Sequence, residues 1–238
     1  MTGAWLTDAA TAVHCRLLNA AERTGIAPRL DPVGIMKAYA RGLFPMGRPG
    51  SDRRIAWFYP DPRGVLPLQA FHVPHRLGET MASGRYRVTV DHDFVGTIDA
   101  CAVVAPDRPE RWINETIRMV WIALHRQGHA HSVEVWQDDA RAGGLYGVAL
   151  GGAFFAESMF SHRRDGSKVA LAHLVVLLRG AGFTMLDTQF PSRHLQQFGG
   201  TAISRADYRA RLADAIAAPA RFCGEPDAGL HRLLRSAS

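Results

Sequence analysis

The sequence predicts an α+β protein, an antiparallel meander of strands with helices inserted before and after it. Three observations carry that prediction. The runs HSVEVWQ, GGLYGVALGG and AFFAESMF (residues 131–137, 143–152 and 153–160) are strand-like and separated by turn residues. Helical patterns at 114–128 and 167–182 flank them, each closed by glycine. The first seventy residues show neither pattern beyond one short helix, so a small N-terminal α/β domain (1–70) is expected to pack on a larger α+β domain (71–238).

Taken in order, a helix is expected near Asp31–Arg41. The stretch GLFPMGRPGSDRRIAWFYPDPRGVLPL (42–68) is dense in Pro, Gly and Arg, which predicts loops and turns with aromatic anchors. Residues 86–91 alternate like a strand, and 93–104 read as a short amphipathic helix. Asn114 is a start signal for the helix that follows it, and FTMLDTQ (183–189) reads as a strand after the second long helix. Ser204, with Asp207 in the first turn, opens a last helix to about Ala218.

A chain of 238 residues can bury a real core, and 47% hydrophobic against 21% charged residues is a globular balance. The formal charge is +6, and Lys37 and Lys168 are the only lysines. An arginine-rich chain of this kind reflects either a GC-rich coding bias or phosphate recognition by the guanidinium fork, and charge alone does not choose. Cys15, Cys101 and Cys223 are far apart and odd in number, which points to a reducing compartment without a disulfide framework or zinc knuckle. The N-terminus lacks a signal-peptide pattern, and the longest apolar run (169–178) is too short for a bilayer. A soluble cytoplasmic protein is expected. Patterns for nucleoside-triphosphate, dinucleotide or zinc-hydrolase chemistry are absent.

Polar residues interrupt two of the strands. Glu157 lies in an otherwise apolar run, and Asp187 and Gln189 stand two apart in LDTQF, where strand geometry puts them on one face. Buried acids cost free energy unless paired, so two in neighbouring strands suggest either a pocket handling protons or a cation, or a network fixing the core register. After Glu157 come Ser161, Arg163, Arg164 and Gly166, and then Ser167 and Lys168 open a helix. That is either an anion site at a helix N-terminus or a solvated turn with a serine cap. His129 and His131 lack further ligands, so no metal is expected. Among the aromatics, Trp57 and Trp112 adjoin loops and are the better candidates to stack a base, whereas mid-helix Trp121 reads as core.

The strings AYARGLFPMG, WFYPDPRGVLP, HAHSVEVW, GGLYGVALG, FFAESMFS, SKVAL and LDTQF…HLQQFG, in this order, resemble the leucyl/phenylalanyl-tRNA–protein transferase family from about Asp31 to about Leu212. The resemblance implies an enzyme of the bacterial N-end rule pathway. It moves Leu or Phe from aminoacyl-tRNA to an N-terminal Arg or Lys of an acceptor protein, marking it for degradation; an apolar pocket discriminates weakly enough that some Met acceptance is expected as well. It implies a GNAT-like acyltransferase domain and no cofactor, since the aminoacyl ester stores the free energy. Asp187 and Gln189 then match the implicated acid and amide: Asp187 either polarises Gln189 in a relay or serves positioning, with positioning favoured because a carboxamide is a poor base. Glu157 would hold the acceptor's cationic N-terminus or orient that pair. Leu145, Phe154 and Met159 would form the side-chain pocket, with Trp112, Met46 and Ser161 also in the aminoacyl-adenosine site.

Two departures from the family pattern matter. Met46 stands where relatives commonly have Trp, which shifts base stacking to Trp112. A basic cluster after His72 is reduced, so tRNA contact is expected from Arg53, Arg54, Arg63, Arg76, Arg163, Arg164 and Lys168, with a smaller salt dependence. The sequence leaves two alternatives. RRDGSK partly matches the pyrophosphate loop of acyl-CoA-dependent GNAT N-acetyltransferases but ends in Lys168. A non-catalytic tRNA- or degron-binding module would not need Asp187, Gln189 and Glu157 together.

Overall fold

The structure, a computed structural model, describes residues 30–48, 51, 54–103 and 112–223. Helix α1 (Pro32–Tyr39) starts where Asp31 Oδ1 accepts the Gly34 N–H at 2.7 Å, with proline in its first turn. The segment expected as loops instead forms a hairpin, β1 (Phe44–Gly47) with β2 (Ile55–Phe58), and then β3 (Arg63–Leu66). Its Pro and Gly residues sit at the turns, while the short apolar runs between them, FPMG and IAWF, bury side chains against α1 and the core. Strand β3 joins the main sheet, which therefore begins inside the segment assigned to the N-terminal domain and not beyond residue 70.

After a 3₁₀ turn (Leu68–Ala70) come α2 (His75–Ala82), β4 (Arg87–Val90), α3 (Phe94–Ala102) and α4 (Glu115–Arg126). They are followed by β5 (Ala130–Gln137), β6 (Ala140–Leu150), β7 (Ala153–Ser161) and α5 (Gly166–Gly180). The chain then forms β8 (Met185–Gln189), the single turn α6 (Arg193–Gln196), β9 (Thr201–Ile203) and α7 (Arg205–Ala217). Seven strands form one sheet in the order β4-β5-β6-β7-β8-β3-β9. Every neighbouring pair is antiparallel except β7 and β8, which run parallel and are joined through α5.

Strand alternation sends neighbours to opposite faces, and each face has its own core. Phe155 and Tyr146 pack with Ile35, Tyr39, Phe44, Ile98 and Trp121 on the side of α1, the hairpin, α3 and α4. Phe154 and Leu145 pack with Leu174, Val175, Phe183 and Leu186 on the side of α5, whose apolar run VALAHLVVLL is buried along its length. Helices α4 and α7 start as their caps dictate: Asn114 Oδ1 accepts the Ile117 N–H at 3.0 Å, and Ser204 Oγ accepts that of Asp207 at 3.1 Å.

Two register shifts set up the functional region. Between β6 and β7, Tyr146 pairs with Ser158 but Gly147 with Ala156, so Glu157 is the extra residue of a bulge. Between β3 and β8, Gly64 pairs with Gln189 but Val65 with Asp187, which leaves Thr188 extra. Bulges re-aim side chains and sharpen local twist, which is why polar residues can interrupt these strands. Gly64 is required for the second one, because a Cβ there would lie 2.4 Å from the Phe190 carbonyl oxygen.

Candidate active site

The β7–β8 ladder covers only residues 153–155 against 185–187. Just beyond it, Glu157 and Gln189 meet through their side chains, Gln189 Nε2 donating to Glu157 Oε1 at 3.0 Å. Tyr39 Oη, from the end of α1, donates to the same oxygen. Gln189 is 8% exposed and holds φ = 64°, the left-handed region that costs a non-glycine residue about 1 kcal/mol or more. Strain of this kind persists only where surrounding contacts impose it.

Asp187 imposes it. Its fully buried carboxylate receives Arg63 Nε at 2.9 Å and Arg63 NH2 at 2.6 Å, Tyr208 Oη at 2.6 Å, and the backbone N–H of Gln189 at 2.7 Å. A carboxylate offers about four lone-pair sites, and these four donors occupy them. Arg63 in turn donates to the Gly42 carbonyl at 2.9 Å and lies between the rings of Phe44 and Tyr208, 4.8 and 4.5 Å from their centroids. Burial works against the Arg63 charge, but Asp187 more than offsets it, so the guanidinium is held above its usual range. Burial, then the charge of Asp187, raises the Tyr208 hydroxyl.

Among the described residues Glu157 has no ion-pair partner of its own. Burial pushes its carboxyl up to about 8, and the Asp187 charge adds to that. The hydrogen bonds from Tyr39 and Gln189 and the charge of Arg63 pull the other way. Burial and Glu157 together hold the Tyr39 hydroxyl well above its usual range. The site therefore contains one ion pair and one carboxyl that is mostly protonated at neutral pH. Its donors and acceptors come from α1, β3, β7, β8 and α7.

A family profile described as Leucyl/phenylalanyl-tRNA protein transferase matches residues 65–213, and one described as the N-terminal domain of that transferase matches residues 29–61. The chain belongs to the leucyl/phenylalanyl-tRNA–protein transferase family. The leucyl/phenylalanyl-tRNA–protein transferase of Paramagnetospirillum magneticum is 54% identical over 188 residues, 79% of this chain and 90% of its own length. That of Maricaulis maris is 50% identical over 193 residues, 81% and 89% respectively. The crystal structure of FemX is similar at a TM-score of 0.43 and 13% identity, covering 83% of this chain and 72% of its own, too slight a likeness to carry an argument.

Within this aminoacyltransferase, the residues singled out in the sequence are distributed as follows. Asp187, Gln189 and Glu157 come together, but the amide of Gln189 is held by Glu157, while Asp187 holds the backbone of Gln189. Leu145 and Met159 are cross-strand partners and share the α5-side cluster with Phe154. Met46 and Trp112 belong to the other face, where the Gly47 N–H donates to the Trp112 carbonyl at 2.8 Å and ties the two together. Trp57 is buried in the core and is not a stacking surface; Trp121 is core as expected.

Arg63 requires a correction. Expected to contact tRNA, it is fully buried and committed to Asp187. Arg54, Arg76, Arg163 and Arg164 are exposed, Lys168 pairs with Asp165 at 2.8 Å, and Arg53 lies outside the described residues. In the loop before α5, Ser161 Oγ accepts the Ser167 N–H at 3.3 Å and donates to the Arg163 carbonyl at 2.8 Å. Asp165 is the residue that opens the helix and meets Arg164 as well as Lys168, so this helix start carries its own carboxylate. Sequence reasoning missed Tyr39 and Tyr208 as site residues. Tyr39 was present in the string AYARGLFPMG, whereas Tyr208 sits in an ordinary amphipathic helix with no signal of its own.

Among the described residues there is no group of three or more His, Cys, Asp or Glu that could hold a metal. His131 is committed to Asp91 at 2.7 Å. No helix of the described residues is long and apolar enough to cross a membrane.

Proposed function

We propose that the protein transfers Leu, Phe and, less well, Met from aminoacyl-tRNA to the N-terminal Arg or Lys of acceptor proteins in the cytoplasm, marking them for N-end rule degradation. The observation that carries this reading is the convergence of five elements on a strained, buried Gln189. The reaction is aminolysis: the α-amine nitrogen attacks the ester carbonyl, the bond to the ribose oxygen breaks, and the amine loses a proton. Its free energy is stored in the ester, so no cofactor or metal is required.

Gln189 donates its amide N–H to Glu157, which leaves its carbonyl oxygen as the end that accepts from the incoming amine. Asp187 acts through position. With its lone pairs filled by Arg63, Tyr208 and the Gln189 N–H, it fixes the backbone of Gln189 and does not polarise the amide directly. Met46 and Trp112 are assigned to the adenosine, Trp112 providing the stacking ring, and Ser161 to the edge of the aminoacyl site. Leu145, Phe154 and Met159 are assigned to the side-chain pocket. Such a pocket separates similar apolar side chains by only about 1–3 kcal/mol, which is why Met is expected as a lesser substrate.

One parallel strand pair within an antiparallel sheet, with a helix crossing between its strands, supports the GNAT-like reading of the fold. The N-terminal unit is read as α1 and the β1–β2 hairpin, with β3 carrying the chain into the catalytic sheet. Exposed Arg54, Arg76, Arg163 and Arg164, with Lys168, are assigned to the tRNA backbone. Replacing both Arg163 and Arg164 with Ala is expected to lower the slope of log K against log salt by roughly 1–2 and leave the rate at saturating tRNA unchanged. Binding titrations across a salt series check this; an unchanged slope would remove these two residues from the interface.

The direct test is to incubate the protein with Leu-tRNA and a peptide beginning with Arg, without ATP or coenzyme A, and to look for Leu-Arg product by mass spectrometry. Product is expected. Its absence would overturn the reading, and an N-acylated peptide formed only when an acyl-CoA is supplied would favour an ordinary N-acetyltransferase.

A further inference from the structure

The positioning roles above leave one atom unused. Glu157 Oε1 accepts from both Tyr39 and Gln189, but Glu157 Oε2 is buried and has no hydrogen-bond partner among the described residues. Glu157 itself is 7% exposed and is the extra residue of the β7 bulge, just past the end of the β7–β8 ladder. A buried polar atom without a partner costs free energy, and such atoms collect where a ligand or a reaction will supply the missing contact.

Resting on the aminoacyl-transfer reading, we propose that Oε2 of Glu157 takes the proton lost by the attacking α-amine, with Tyr39 as the positioning residue that holds the other oxygen. The amine lone pair forms the new C–N bond, and the bond between the carbonyl carbon and the ribose oxygen breaks with its electron pair on oxygen. Starting from the neutral amine and the ionised carboxylate, Oε2 receives the N–H proton and returns it to the ribose oxygen, directly or through water. The peptide, a free tRNA 3′ end and an ionised Glu157 result.

The surroundings suit that task. Two donors on Oε1 direct the carboxyl's own proton to Oε2, so the same oxygen is the acid in one state and the base in the other. The groups facing Glu157 are Tyr39 from α1, Asp187 and Gln189 from β8, and Arg63 from β3, while Tyr146 from β6 acts on Tyr39 and Tyr208 from α7 on Asp187. Burial brings the Glu157 carboxyl up to about 8, near the range of a peptide α-amine, about 7.7–8.0, where proton transfer between the two is close to balanced. The hydrogen bond from Tyr39 favours the ionised carboxylate, so losing the hydroxyl must make Glu157 harder to ionise.

The experiment is the pH dependence of kcat/KM for an Arg-initiated peptide at saturating Leu-tRNA, from about pH 6 to about pH 9.5. Wild type is expected to show two ionisations near pH 8, one from the peptide amine and one from Glu157. Tyr39→Phe keeps the ring against Phe155, 4.5 Å between centroids, and is expected to move one ionisation upward by about 0.5–1 pH unit. Glu157→Gln is expected to lose that ionisation and to lower kcat by about 100-fold or more, with the KM for Leu-tRNA unchanged. A Tyr39→Phe profile superimposable on wild type would overturn the proposal. So would a Glu157→Gln enzyme that keeps both ionisations or works within about threefold of wild type. Wild type giving no Leu-peptide at any pH would instead sink the transfer reading itself, and this assignment with it.

Discussion

Asp187→Ala is expected to abolish most turnover while leaving Leu-tRNA binding intact, and to destabilise the fold by about 3–5 kcal/mol. The cost arises because Arg63, fully buried, loses the partner that receives two of its donors. For a chain of this size that corresponds to a fall in melting temperature of roughly 6–20 °C. Turnover falls for a second reason, since the Gln189 N–H loses the acceptor that holds the residue in its left-handed conformation. The two effects separate in a double variant. Arg63→Met with Asp187→Leu removes both charges, and apolar replacement of a buried ion pair is often neutral or stabilising. Its melting temperature is expected to return towards wild type while transfer stays low. Recovery of both together would reduce Asp187 to a structural role.

Glu157→Gln is expected to stabilise the protein, increasingly so as pH rises. The carboxyl titrates at about 8 in the folded state against 4.5 for the ordinary group. Between those values the folded chain keeps a proton that the unfolded chain has lost, so wild-type stability falls with rising pH, at most by roughly 1.4 kcal/mol per pH unit. Below about 4.5 both states are protonated and the difference vanishes; above about 8 it is constant. The amide variant does not titrate. Melting curves at pH 5 and pH 8 are expected to show little difference at the lower pH and a gain of several degrees at the higher one. An equal difference at both would contradict the raised carboxyl.

What could be read from the sequence was local. The α5 run VALAHLVVLL, the three consecutive strands and the capped starts of α4 and α7 announced themselves because their signals lie within the element. Glu157, Asp187 and Gln189 were visible as polar residues in apolar strands. Their division of labour was not, because it depends on the two bulges, and a bulge is a relation between strands. Arg63 is the sharpest case. In a stretch of Pro, Gly and Arg it looks like a surface phosphate ligand, yet its partner lies 124 residues away and buries it completely. Strand β3 was hidden by the same composition, its pairing being wholly with β8 and β9 late in the chain.

The network converges on Gln189: Asp187 fixes its backbone, Glu157 fixes its amide, and Arg63, Tyr208 and Tyr39 fix those two acids. The measurement that bears most directly on this arrangement is single-turnover transfer of Leu from Leu-tRNA to an Arg-initiated peptide by Gln189→Ala beside wild type, with tRNA affinity measured in parallel. The rate is expected to fall by about 100-fold or more with tRNA affinity unchanged. Transfer at the wild-type rate would show that the network serves the fold and not the reaction.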